Sequence, residues 1–272
     1  MRRLAAIIVL SLGGSPVLAF DQGHSQWTAL LMQYVEVADD GHSSTVRYAN
    51  LKKDEARLDA YLRTLSAVSN SEYTEWSKPE QLAFLINAYN ALTIKLVLRK
   101  YPDLESIRDL GIGLQSPWER KFFRLLGKQM SLDDIEHGMI RARGVFDEPR
   151  IHFALVCASI GCPMLRNEAY TGHDLNRQLD DAFCRFLSNP KRNYFDPVDD
   201  VLHVSSLFLW YAEDFESGFQ GFISLHGTFA SYARCLTQIK TQQTVIQRGA
   251  YRISYLQYDW GLNDAGRWNI SP

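Results

Sequence analysis

A chain of 272 residues with 46% hydrophobic and 12% aromatic content is long enough for a sizeable core, and its formal charge of -2 excludes a basic surface for nucleic acid. Four cysteines in a chain of this length do not make a disulfide scaffold, so their positions matter more than their number.

Arg2 and Arg3 precede an apolar run from Leu4 to Leu12, followed by Gly13, Gly14, Ser15, Pro16 and then Val17-Leu18-Ala19. This three-part pattern predicts a secretory leader over residues 1–19, cleaved after Ala19. The apolar run falls short of the roughly 20 residues that span a bilayer, so no membrane span is expected after cleavage. Loss of the two arginines leaves 27 basic against 31 acidic residues, a net charge of -4. A periplasmic or secreted protein follows, with residues 20–272 as one domain.

From Phe20 to Tyr73 the apolar spacing predicts one helix, a loop and another helix. Ser77, Pro79 and Glu80 then spell a capped start to a long apolar helix running to about Leu98, stopped by Tyr101-Pro102. Asn87 and Asn90 lie three apart on one face of that helix, where their amides need partners. Ser131 followed by Asp133, Asp134, Glu136 and His137 begins a further helix that ends near Gly144.

The next segment, IHFALVCASIGCP from Ile151 to Pro163, is the most informative. Its alternation predicts a strand with His152, Ala154 and Val156 on one face and Phe153, Leu155 and Cys157 on the other. After the turn, Cys162 is expected in the first turn of a new helix, where unpaired amides favour a thiolate. Later elements are a helix over residues 173–187, a strand at Val201–Val204, a helix from Ser205 to Tyr211 and a strand from Tyr251 to Asp259. No internal repeat or low-complexity tract divides the chain. The sum is a helix-rich α+β domain with a small antiparallel or mixed sheet.

A thiol beside an imidazole and a carboxylate suits nucleophilic catalysis. The residues are assigned as Cys162 the nucleophile, His152 its base and Glu136 the acid that orients the base, with His137 as the alternative base. The same atoms allow other readings. Cys157 and Cys162 could form a redox-active disulfide, although C-x4-C is not the thioredoxin-like spacing. His137, His152, Cys157 and Cys162 include acceptable zinc ligands without the paired spacing of a zinc motif, so no metal or cofactor is assigned. A polar network that only holds helices to sheet would use Asn87, Glu136, His137, His152 and Asp259. Cys184 and Cys235 read as helix-packing residues. Asp259 is expected to close the chain end onto His137 or Arg166. No phosphate loop, G-x-S-x-G elbow or H-E-x-x-H helix occurs.

Four ordered stretches, QLAFLINAYNAL from Gln81, SLDDIEH from Ser131, IHFALVCASIGCP with Leu165 and Arg166, and YDWGLN from Tyr258, together resemble the family catalogued as domain of unknown function 547 over residues 76–263. That family carries no established activity. Its pattern falls on Asn87, Tyr89, Asn90, Glu136, His137, His152, Cys162 and Pro163, while Leu85 stands where the family usually has an aromatic residue. The family in turn resembles papain-like thiol enzymes in a permuted arrangement. What this resemblance implies is a thiol-dependent hydrolase or acyltransferase acting on a peptide or amide bond, with Asn87 or Asn90 donating to the oxyanion. Tyr89, Arg166 and Asp259 complete the expected substrate-binding set.

Overall fold

The computed structural model describes residues 19–111 and 116–268, so the expected leader lies outside the described residues apart from Ala19. In chain order, α1 (Ser25–Tyr34) leads into the hairpin β1 (Val35–Val37) and β2 (Ser44–Val46), then α2 (Tyr48–Lys53), α3 (Glu55–Ala67) and α4 (Asn70–Glu75). The sequence pattern predicts one helix after the loop where the fold has three short ones, because Asp54 and the Val68–Ser69 pair leave the helical conformation.

The centre of the molecule is α5 (Lys78–Leu98). Its start is the expected capping box: Ser77 Oγ accepts from the Glu80 amide, and the Glu80 carboxylate accepts from the Ser77 amide at 2.8 Å. Every residue from Gln81 to Ile94 is buried, so other elements cover the helix on all sides. α5 is long and apolar enough to cross a membrane, but 94% of its most apolar stretch is packed inside the protein. Each of its fully buried leucine or isoleucine side chains contributes about 1.5–3 kcal/mol relative to exposure.

Around it lie the hairpin β3 (Phe123–Leu125) and β4 (Lys128–Met130), the short helix α6 (Leu132–Ile135), and α7 (Leu175–Leu187). α6 begins at Ser131 as expected but passes at once into a π-helical turn, Glu136–Ile140. Beyond α7, β5 (Tyr194–Asp196) pairs antiparallel with β6 (Val201–Ser205), and β6 pairs parallel with β7 (Arg252–Leu256). This mixed three-stranded sheet is the small sheet of a helix-rich α+β fold. The helix α8 (Leu207–Trp210) follows β6 directly.

The strand expected from IHFALVC does not form. Pro149–Phe153 is a 3-10 helix, started by Pro149 and capped by Glu148, and the chain then runs irregularly through residue 157. All eight residues from Pro149 to Val156 are buried, so the apparent alternation has no exposed face. Ile151 and Ala154 enter a core cluster built around α5, whereas Phe153 enters a second, phenylalanine-rich cluster with Phe183 and Phe208. The segment is the seam between the two cores.

Candidate functional site

The backbone of the cysteine loop is fixed from two directions. Asn90 of α5 donates to the carbonyl of Ala154 at 2.9 Å and accepts from the amide of Val156 at 3.0 Å, doing for this segment what a neighbouring strand would do. From the other side, the amides of Ile160 and Gly161 donate to the carbonyls of Gly261 and Asp259, both at 2.8 Å. A Cβ at Gly161 would lie 3.0 Å from the Asp259 backbone, so any side chain there would push the two segments apart by a few tenths of an ångström. Ala158, at φ 61°, turns the chain back between the two cysteines.

The turn brings the sulfurs together. Cys157 Sγ lies 2.7 Å from Cys162 Sγ, and the Cys157 amide donates to Cys162 Sγ at 2.7 Å. Ser159 Oγ and the Tyr258 hydroxyl reach Cys157 Sγ at 3.0 and 3.1 Å. Burial opposes ionisation of Cys157, but hydrogen bonds from Cys162, Ser159 and Tyr258 outweigh it and bring the thiol from 9.0 down to about 7. Cys162 moves the other way, since burial and its anionic neighbour push it well above 9.0. Burial also holds Tyr258 far above its ordinary value, so its hydroxyl stays a donor. No helix begins at Cys162, so the expected help from a helix dipole is absent. Side-chain donors stabilise the anion instead, and they stabilise it on Cys157. Cys157 is half-buried, whereas Cys162 is buried.

These sulfurs line a cleft of about 240 Å³ together with Tyr89, Glu136, His137 and His152, under aromatic walls from Trp118, Trp210, Tyr258 and Trp260. His152 is buried, stacked on Tyr211 with ring centres 3.8 Å apart, and bonded through Nε2 to Asp214 at 2.6 Å. Burial lowers the affinity of His152 for a proton, so the neutral ring is favoured despite the carboxylate. Burial would raise Asp214, but hydrogen bonds from His152 and Arg141 hold it far below the usual carboxylate range. Arg141 donates through Nε to Asp214 at 2.7 Å and contacts His137 Nδ1 at 2.8 Å. Glu136 accepts from the hydroxyls of Tyr89 at 2.9 Å and Tyr211 at 3.0 Å. Adjacent residues thus diverge at the π-helical turn: Glu136 points inward and His137 is half-exposed.

Several expected roles change. Asp214, not Glu136, is the acid on His152, and nothing in the sequence around Asp214 had marked it. Asn87 bonds the Tyr170 backbone, donating at 2.7 Å and accepting at 3.0 Å, Asn90 bonds the backbone of Ala154 and Val156, and neither lines the cleft. Arg166 pairs with Glu168 and Asp181 and does not line the cleft. Asp259 meets neither His137 nor Arg166; its carbonyl holds Gly161, and its carboxylate accepts from the Gly261 amide at 2.9 Å. The neighbouring Tyr258 is the terminal residue that reaches the thiols. Cys184 and Cys235, read as packing residues, form a disulfide. Among the described residues no three His, Cys, Asp or Glu side chains gather as metal ligands.

The fold and site define a class: a helix-rich α+β domain with a dithiol loop at the wall of an aromatic cleft. Residues 73–187 match the family model described as "Protein of unknown function, DUF547", the family that the sequence motifs resemble. The matched region carries α5, Glu136, His152 and both loop cysteines, while Asp214 and Tyr258 lie beyond it. No curated protein and no solved structure matches the chain.

Proposed function

We propose that the protein is an exported thiol enzyme in which Cys157 and Cys162 exchange a disulfide with a peptide substrate lodged in the aromatic cleft. The reading rests on one observation, the 2.7 Å contact between two sulfurs that both line the cleft. Cys157 as thiolate attacks one sulfur of a substrate disulfide. The substrate S–S bond breaks, the departing thiolate takes a proton from water, and a mixed disulfide joins Cys157 to the substrate. Cys162 then loses its proton and attacks Cys157 Sγ, releasing the second substrate thiol. The protein dithiol is oxidised to a disulfide and the substrate is reduced by the same two electrons; the reverse sequence makes a substrate disulfide. A structural disulfide at Cys184–Cys235 supports an oxidising compartment, in agreement with the leader.

Glutathione disulfide is a sufficient probe. Cys162→Ser is expected to accumulate a glutathione adduct on Cys157, visible by intact mass, whereas Cys157→Ser should not react. Equal reactivity of Cys157→Ser and the parent would overturn the assignment.

A second reading, acyl transfer, is favoured by the His152–Asp214 pair in the same cleft. Here Cys157 attacks an amide carbon, the C–N bond breaks, His152 carries the thiol proton to the departing amine, and water later frees the acyl group. It needs the loop to bring a sulfur to the imidazole, since neither thiol is hydrogen-bonded to a histidine. A burst with an activated ester that disappears in His152→Ala, while glutathione exchange persists, would select it.

A further inference from the structure

The cysteine loop has a second face. Behind it is a cavity of about 470 Å³, twice the volume of the thiol cleft, whose wall includes Ile160 and Gly161 of the loop, Tyr258 and Arg192. Arg192 donates to the carbonyl of Ile160 and, at 3.5 Å, to that of His42, and its guanidinium lies over the Phe186 ring. Among the described residues no carboxylate comes within 4.0 Å of it. A guanidinium presents five N–H donors in a planar fork, and two carbonyls use only part of that capacity. Its hydrogen bonds go to neutral carbonyls and the anionic groups that act on it, Cys157 and Asp40, do so without a direct contact, so its free donors are a place for an anion. Asp40 and Asp259 line the same cavity as exposed residues, and neither carboxylate is paired with a base among the described residues.

A cation in the wall and two carboxylates nearer solvent discriminate by charge. A dianion would meet the carboxylates, and a simple ammonium would meet the guanidinium. We infer that this cavity binds a small zwitterion, an amino acid or short peptide, with its carboxylate on Arg192 and its ammonium group toward Asp40 and Asp259. The inference does not depend on the chemistry of the thiols.

Calorimetric titration of the protein with alanylalanine at pH 7 tests it, with succinate and ethylamine as controls of single charge type. Saturable one-to-one binding of the dipeptide is expected, at least 10-fold tighter than either control. Arg192→Gln should weaken it at least 10-fold. Because Arg192 also braces the loop, Asp259→Asn serves as a second variant: it keeps the carbonyl that holds Gly161 and is expected to weaken binding severalfold with an unchanged circular dichroism spectrum. Absence of saturable binding by the dipeptide, succinate binding as tightly, or both variants binding like the parent would each overturn the inference. Glutathione exchange is scored separately, so either result stands without the other.

Discussion

The charge on Cys157 depends on three donors from two parts of the chain: Cys162 and Ser159 in its own loop, and Tyr258 near the end. Each stabilises the anion more than the thiol, so removing one must raise the pKa. The rate of Cys157 alkylation by iodoacetamide should therefore rise with pH around a midpoint near 7, below the ordinary thiol value of about 8.5. Tyr258→Phe keeps the ring and deletes the donor; the midpoint should climb, and alkylation at pH 7 should slow about 2- to 5-fold if it climbs by about 0.5 to 1. A profile that stays in place would mean that the tyrosine packs against the loop without tuning it. Sequence reading located both cysteines and both histidines of the cleft but expected a helix start at Cys162 where the fold has none. Burial of Cys162, and the hydroxyl that reaches Cys157 from 101 residues away, are properties of the folded chain.

At the level of elements, α5 was legible almost residue by residue, since its cap, length and end are written in local chemistry. The two asparagines in its apolar face were correctly seen to need partners. What they bind is backbone: Asn87 holds Tyr170, and Asn90 holds the approach to the cysteine loop. Asn90→Ala would strand a buried carbonyl and a buried amide, at a cost of about 2–5 kcal/mol by urea unfolding. The same change should disorganise the loop, so the Cys157 alkylation midpoint should also move toward the free-thiol value. Stability within 0.5 kcal/mol of the parent would show that solvent replaces the clamp. Asn90 is also why the expected strand was misread. Period-two alternation asks only which residues are apolar, whereas a strand needs a neighbouring strand for its backbone groups. Here a side chain more than 60 residues earlier in the chain satisfies those groups, and Glu148 with Pro149 starts a tight helix. Asp214 was missed for a related reason, because its meeting with His152 spans 62 residues. β6, β7 and α7 carry their own periodicity and were read correctly.

Across the whole molecule, the two hydrophobic clusters are secured differently. The first wraps α5 on every side, while the second is rich in phenylalanine and is crossed by the Cys184–Cys235 bond, which ties α7 to the short helix Ala233–Leu236. That link closes a loop with a sequence separation of 51. Chain-entropy arguments put the stabilisation from such a closure at about 4 kcal/mol, and measured values for native disulfides run from about 2 to 5. Replacing both residues, Cys184→Ala with Cys235→Ala, should therefore lower Tm by roughly 5–15 °C in a chain of this size. The loop thiols belong to the other side of the seam, so the alkylation midpoint of Cys157 should remain near 7 in the same variant. The contrast separates two uses of cysteine: one pair constrains the unfolded chain, and the other, in the function proposed above, is held at hydrogen-bonding distance for exchange. If mild reductant lowers Tm as far as the double substitution does, the structural bond is the one being reduced. If it lowers Tm in the double variant too, the loop pair also forms a stabilising disulfide in the resting protein, and catalysis would have to start from the oxidised state.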